Sequence, residues 1–225
     1  MVNRRIAEFQ KVSFEQFEKD CRNTLKAAEE VDENSMFEVL KDIYDNLELP
    51  RRGTAGSAGY DFKSPFDMIL DPGNYVTVPT GIRAIMDSGY FLMLVPRSGL
   101  GFKYRLRLSN TVGIVDSDYS NSDNEGHIFI KIVNEGNEQV KIETGDGFAQ
   151  GIFVPFGLTK DDSVTDDRNG GFGSTDNNNT EDSVLGDILS GLGSLEPLDV
   201  VAKKVVEDVE TVNAERNEEV KESNE

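Results

Sequence analysis

Asp71-Pro72-Gly73-Asn74-Tyr75-Val76-Thr77-Val78-Pro79-Thr80-Gly81-Ile82-Arg83-Ala84-Ile85-Met86-Asp87-Ser88-Gly89-Tyr90-Phe91-Leu92-Met93-Leu94-Val95 decides the class of fold. Three short runs, Tyr75–Val78, Ile82–Met86 and Tyr90–Val95, are dominated by β-branched, aromatic and other apolar side chains. Each is shorter than an ordinary helix, and each is preceded by turn chemistry: Asp-Pro-Gly-Asn, then Pro-Thr-Gly, then Asp-Ser-Gly. The rhythm continues downstream through Leu106–Leu108, Val112–Val115, His127–Val133, Gln139–Ile142 and Gly151–Phe156. Asn134-Glu135-Gly136-Asn137 and Thr144-Gly145-Asp146-Gly147 punctuate these runs. Short strands with turn signals every ~8–12 residues predict an all-β domain, and about eight of them suit a jelly-roll-like β-barrel.

Outward from this core the texture changes on both sides. Upstream, residues 13–30 predict a helix. Ser13 with Gln16 fits a capping box, Val12 with Phe17 fits a hydrophobic staple, and Phe14, Phe17, Cys21, Leu25 and Ala28 form one apolar stripe. A second helix, which Ser35 and Glu38 could cap, carries Met36, Val39, Leu40, Ile43, Tyr44 and Leu47 and ends by Pro50. The stripes are expected to pack this pair onto the main body; docking a partner protein is the alternative. Downstream, residues 159–171 are polar and run into Gly170-Gly171-Phe172-Gly173-Ser174-Thr175, the composition of a mobile arm. Residues 176–194 read as a linker. Residues 197–215 could form a helix with Val201, Val205, Val209 and Val212 on one face, but disorder or folding against a partner is expected there. The division is therefore a helical N-terminal extension (1–46), a β-barrel core (47–158), a glycine-rich C-terminal arm (159–175) and an acidic tail (176–225).

The net charge of −19 belongs mainly to the ends: residues 176–225 carry 14 acidic and 4 basic side chains, and residues 51–175 carry 16 and 12. An acidic surface disfavours nucleic acid and anionic membranes, yet permits a small phosphorylated ligand held by a few local arginines. One cysteine, Cys21, leaves no internal disulfide and fits a reducing compartment. No apolar run approaches the ~20 residues of a membrane span, and the N-terminus lacks the apolar centre of a signal peptide. A cytoplasmic protein is expected.

Several stretches carry chemistry. Gly113-Ile114-Val115-Asp116-Ser117-Asp118-Tyr119 starts as a buried strand and delivers two carboxylates and an aromatic ring, which suits a polar ligand with one flat face; Asp-Ser-Asp is equally good turn chemistry. In Pro96-Arg97-Ser98-Gly99-Leu100-Gly101, Arg97 can hold a phosphate through two parallel hydrogen bonds. Ser98 adds a hydroxyl, and Gly99 allows close approach to backbone N–H groups. A surface turn with a solvated arginine is the plain alternative. The arm offers Arg168, Ser174 and Thr175 around Phe172, whose ring could stack on a base. Gln150 lies among apolar neighbours and needs a hydrogen-bonding partner, a ligand or a nearby backbone. Ala58-Gly59-Tyr60-Asp61 opens the barrel. His127 is the only histidine, so one chain can hold no His-based triad or His/Cys metal cluster; it reads as incidental at the start of a strand.

In their order along the chain, Ala58–Asp61, Pro96–Gly101, Gly113–Tyr119, Gly145-Asp146-Gly147-Phe148-Ala149-Gln150 and Arg168-Asn169-Gly170-Gly171-Phe172-Gly173-Ser174-Thr175 resemble the five motifs of the trimeric dUTP pyrophosphatases (dUTPases). Val78-Pro79-Thr80-Gly81 and Asn110-Thr111-Val112 are similar to that family as well, and the resemblance covers roughly residues 47–175. It implies hydrolysis of dUTP to dUMP and pyrophosphate with Mg2+, which limits uracil incorporation into DNA and supplies dUMP for dTMP synthesis. It also implies a homotrimer whose active sites are shared between subunits.

By the same resemblance Asp116 orients or deprotonates the water that attacks the α-phosphorus, and Gln150 helps to hold that region. Tyr119 packs on the deoxyribose and leaves no room for a 2′-hydroxyl. Asn110 and the backbone beyond it, including Gly113, bind uracil. Arg97, Ser98 and Gly99 hold phosphates. Arg168, Gly173, Ser174 and Thr175 close over the γ-phosphate while Phe172 covers uracil, and Asp61 supports the site from outside. Magnesium is expected on the triphosphate and water, with no dedicated protein ligands. Two departures stand out. Ser120–Gly126 is longer than the family's shortest hairpin, and Arg168 and Phe172 lie four apart where the family spacing is five. A dCTP deaminase-like enzyme, or a dUTPase-like protein with an added protein-binding role for the helices or tail, is the rival.

Overall fold

The computed structural model describes residues 4–25, 33–166 and 168. In chain order the elements are β1 (Ala7–Lys11), α1 (Phe14–Leu25), α2 (Glu33–Asn46), β2 (Arg51–Arg52), β3 (Tyr60–Lys63), β4 (Met68–Leu70), β5 (Tyr75–Pro79) and β6 (Ile82–Met86). There follow β7 (Tyr90–Pro96), α3 (Ser98–Tyr104), β8 (Leu106–Leu108), β9 (Gly113–Val115), a 3-10 turn (Tyr119–Asn121), β10 (Phe129–Asn134), β11 (Val140–Ile142) and β12 (Gly147–Pro155).

Alternation of side chains drives the architecture. In β10, Ile130, Ile132 and Asn134 point inward while Phe129, Lys131 and Val133 are partly exposed. Among the described residues four antiparallel sheets result: β1-β6, β5-β10-β8, β11-β4 and β2-β3-β12-β7-β9. They enclose one core that includes Phe62, Leu70, Leu92, Leu108, Ile128, Ile132 and Phe148. Burying each such side chain contributes roughly 1.5–3 kcal/mol relative to exposure. The sheets do not join into one closed ladder, but the jelly-roll-like, mostly-β class that residues 71–95 predict is the fold. Among the described residues no helix is long and apolar enough to cross a membrane.

The N-terminal region departs from the purely helical expectation. Ala7–Lys11 is a strand, paired with β6 from Ala7↔Met86 to Lys11↔Ile82. Its one aromatic residue, Phe9, packs edge-on against Tyr60 and Phe62, with ring centroids 5.4 and 5.7 Å away. The stripes, expected on the main body, pack the two helices against each other: Val12, Phe17, Cys21 and Leu40 form a second small core with Phe14, Met36, Ile43, Tyr44 and Leu47 around it, and Phe17 also meets the main body at His127, with ring centroids 6.2 Å apart. Burial pushes the Cys21 thiol pKa well up, so it is an inert core residue. The capping box is only half formed. Ser13 Oγ accepts from the Gln16 N–H at 3.1 Å, but the Gln16 amide turns to Asp20, and Glu125 binds the Ser13 N–H instead. Ser35 lies inside α2 rather than at its cap. β12 begins at Gly147, earlier than the sequence suggests, and the stretch after Arg97, a candidate phosphate cradle or surface turn, is a short helix, Ser98–Tyr104. Ala28 and the tail (176–225) lie outside the described residues.

Candidate active site

Strand β7 runs through the five-stranded sheet with β9 on one side and β12 on the other. At Gly113, a Cβ would lie 3.1 Å from the Leu94 Cβ, so glycine lets β9 press against β7. Val115 is buried opposite Leu92, and the chain then leaves the sheet. Asp116 and Asp118 emerge with side chains 51% and 49% exposed. Arg168 joins them. Its Nη2 donates to Asp116 Oδ2 at 2.6 Å and its Nε to Asp118 Oδ1 at 3.1 Å. Its guanidinium carbon lies 5.5 Å from the centroid of the Tyr119 ring. One cation is thus shared by two carboxylates and an aromatic face.

Tyr119 opens the 3-10 turn and is buried. Its hydroxyl donates to the His127 carbonyl at 3.0 Å and accepts from Asn124 Nδ2 at 3.0 Å. Burial is the main reason its phenol pKa is raised; the Asn124 hydrogen bond and the Arg168 charge pull the other way. It is therefore a neutral hydrogen-bond donor with its position set by its hydroxyl end.

A second group of predicted residues collects around the end of β7. Arg97 precedes α3 in extended conformation (φ −71, ψ 136), and Ser98 and Gly99 form the first turn of that helix, both exposed. Arg97 Nε faces Asp61 Oδ1 at 3.2 Å, and its Nη1 donates to the Gly147 carbonyl at 3.1 Å. Gly147 is required for this: a Cβ there would run into the guanidinium, with Cζ at 2.9 Å. Gln150 stands opposite Asp61 of β3 and Val95 of β7. Its partner is a neighbouring backbone, since Nε2 donates to the Pro96 carbonyl at 3.1 Å.

The register keeps the two groups apart within one chain. Val115, just before Asp116, is opposite Leu92, whereas Gln150 is opposite Val95. Three residues along a strand and two strand spacings put them roughly 10 Å apart in each direction. Asn110 is exposed in the β8–β9 loop, where its carbonyl accepts from the Val112 N–H at 2.7 Å and Thr111 adopts φ 67. Phe172, Gly173, Ser174 and Thr175 lie outside the described residues.

Other side chains hold the partners of the Tyr119 hydroxyl. His127 is not incidental. It is fully buried, its Nδ1 is 2.6 Å from Asp20 Oδ2, and its Nε2 accepts from the Gly81 N–H at 2.8 Å. Asp20 and His127 are 107 positions apart, so no local pattern announces the pair. Asn124 donates to the same His127 carbonyl at 3.3 Å. Glu125 accepts from Ser13 N and Oγ at 2.7 and 2.6 Å.

The dUTPase family profile matches residues 45–176. The deoxyuridine 5′-triphosphate nucleotidohydrolase of Lactococcus lactis subsp. lactis is 41% identical over 144 residues, covering 62% of this chain and 95% of that protein. The protein of the same name from Chromobacterium violaceum is 40% identical over 135 residues, 56% of this chain and 87% of that one. Among solved structures, the dUTPase from Streptococcus mutans is similar at 44% identity, with a TM-score of 0.47, over 52% of this chain and 91% of that chain. A profile spanning most of the chain, and relatives matched over nearly their whole length, place this chain in the dUTPase family.

Proposed function

We propose that this chain hydrolyses dUTP to dUMP and pyrophosphate by attack of water on the α-phosphorus. The observation that carries the assignment is an exposed carboxylate, Asp116, delivered by a strand that buries Gly113 and Val115 and exposes Ile114, beside the immobilised ring of Tyr119. Asp116 orients the water and takes its proton as the oxygen–phosphorus bond forms; the bond from the α-phosphorus to the bridging oxygen breaks, and the charge leaves on pyrophosphate. Such a reaction needs positioning and charge neutralisation more than covalent help. Tyr119 forms the wall beneath the deoxyribose. Asn110 and Gly113 belong to the uracil pocket. Arg97, Ser98 and Gly99 receive phosphates, Gln150 holds the region of the attack, and Asp61 keeps Arg97 in place. Arg168 exchanges Asp116 and Asp118 for the γ-phosphate when substrate arrives, and Gly173, Ser174 and Thr175 close with it while Phe172 covers the base.

The separation of Asp116 from Gln150 and Arg97 supports a site assembled from more than one subunit, with a homotrimer as the assembly. The division into N-terminal extension, core, arm and tail belongs to the same proposal, as does residence in the cytoplasm. Magnesium fits on one condition. Among the described residues no three His, Cys, Asp or Glu side chains converge on a point, and Asp116 and Asp118 share one guanidinium. That donor set suits an ion carried in on triphosphate oxygens and keeping its waters. Bound so, magnesium would supply positive charge that steadies the leaving pyrophosphate.

The test is release of pyrophosphate from dUTP, dCTP, dTTP and UTP with magnesium, beside ammonia release from dCTP. Selective pyrophosphate release from dUTP is expected. Ammonia from dCTP, or no turnover of any nucleotide, would replace this assignment with a deaminase or a purely protein-binding role.

A further inference from the structure

We propose that helix α1 sets the choice between deoxyribose and ribose by holding Tyr119 through the buried Asp20–His127 pair and the Asn124 amide. The proposal rests on the placement of Tyr119 under the sugar and adds to it the residues that make the wall stiff. The Tyr119 hydroxyl donates to the His127 carbonyl, and Asn124 Nδ2 bonds both that carbonyl and the hydroxyl. The His127 ring is clamped from two sides. The Gly81 N–H donates to Nε2 at 2.8 Å, so Nε2 is the acceptor and Nδ1 carries the hydrogen, which it donates to Asp20 Oδ2 at 2.6 Å. The same Asp20 oxygen accepts from Gln16 Nε2 at 2.7 Å. Gln16 and Asp20 both belong to α1. The acceptor of the Tyr119 hydroxyl therefore sits on a residue pinned between the β5–β6 turn and the N-terminal helix.

A second attachment fastens the loop between them. Glu125 adopts φ 59, a left-handed conformation that non-glycine residues seldom take. Its carboxylate is held there by Ser13 N and Oγ, at the cap of α1. Gly126 follows at φ 74, where a Cβ would lie 2.6 Å from the Ser120 Cα. The hairpin Ser120–Gly126 is thus gripped by the N-terminal extension at Glu125 and turned back on itself at Gly126.

The consequence falls on selectivity. Excluding a 2′-hydroxyl by contact needs a wall that does not yield by the few tenths of an ångström the oxygen would need. A tyrosine tied at its hydroxyl to groups anchored on α1 does not yield. dUTP carries no 2′-hydroxyl and makes no such demand, so its turnover is insensitive to the brace.

The experiment compares full-length wild type with Asp20→Ala, Asn124→Ala and Asp20→Asn, the last keeping an acceptor for His127 and Gln16. kcat and KM are measured for dUTP and UTP. Both alanine variants should keep kcat for dUTP within about threefold, while the ratio of kcat/KM for dUTP over UTP falls about tenfold or more; Asp20→Asn should restore that ratio. Equal losses on both nucleotides, or an unchanged ratio, overturn the proposal. Asn124→Ala lies on the hairpin and carries the test if Asp20→Ala does not fold. A second readout needs no turnover: the ring resonances of Tyr119 in 13C-tyrosine-labelled protein, assigned with Tyr119→Phe. Faster ring flipping in the alanine variants is expected, and unchanged resonances overturn the brace. If wild type releases no pyrophosphate from dUTP, the proposed function fails, while the ring resonances still decide whether α1 holds Tyr119.

Discussion

Replacing Asp116 with asparagine separates chemistry from binding. Asparagine keeps the size of the side chain but takes no proton from water at neutral pH. General-base assistance is typically worth ~10²–10⁴ in rate, so kcat for dUTP should fall by at least about a hundredfold. The effect on binding has the opposite sign. In the free protein Arg168 is held by Asp116 at 2.6 Å and by Asp118 at 3.1 Å, both carboxylates about half exposed. An exposed pair of this kind is worth roughly 0.2–1 kcal/mol once solvent screening is included. Removing the Asp116 charge frees Arg168 for phosphate by that amount, which corresponds to about 1.4- to 5-fold tighter binding. The assay pairs kcat with the calorimetric Kd of a non-hydrolysable α,β-imido dUTP. A variant with kcat within threefold of wild type would remove Asp116 from the mechanism. A Kd weakened tenfold would show instead that Asp116 mainly binds the ground state, and that Arg168 is not restrained by it.

Complementation tests the split site. Asp116→Asn and Arg97→Ala should each be inactive alone, and co-assembled chains should recover about a quarter of wild-type activity if the two groups meet across an interface of a symmetric oligomer; no recovery from verified mixed oligomers would refute a shared site. Asn134 is wholly buried, donates to the carbonyls of Leu70 and Glu138, and accepts from the Gly136 N–H. Asn134→Ala strands all three groups, so a loss of about 2–4 kcal/mol is expected, read as a fall in Tm of several degrees; a Tm unchanged within error refutes it. Glu125 tests the loop attachment by pH. Burial raises its pKa, but the two Ser13 hydrogen bonds outweigh this and hold it below the usual 4.5. A depressed carboxylate contributes stability above its unfolded pKa and loses it as pH falls through the folded one. Wild type should therefore lose stability relative to Glu125→Gln as the pH drops below about 4.5, and parallel curves for the two would show that the contact contributes nothing.

Much of the β architecture was legible from local pattern. Tyr75–Val95 declares strands because alternation and Gly/Pro turns are properties of neighbouring residues, and the site residues stood out because carboxylates, arginines and glycines occur there in a recognisable order. Ala7–Lys11 was not legible: it has a single large apolar residue, Phe9, and becomes a strand only because the edge of β6 offers it hydrogen bonds and Phe62 and Tyr60 offer it a slot. Ser98–Tyr104 contains Gly99 and Gly101, which weaken helix propensity, so its short helix was not legible from local pattern. Which site residues meet was decided by register alone. The sequence lists Arg97, Asp116 and Gln150 as equals, yet the register puts Gln150 of β12 beside the end of β7 that leads into Arg97 and leaves Asp116 toward the start of β7. The Asp20–His127 pair is the furthest from local inference, since a hydrogen bond between residues 107 positions apart has no periodicity to betray it and exists only once α1 has seated Phe17 beside the His127 ring.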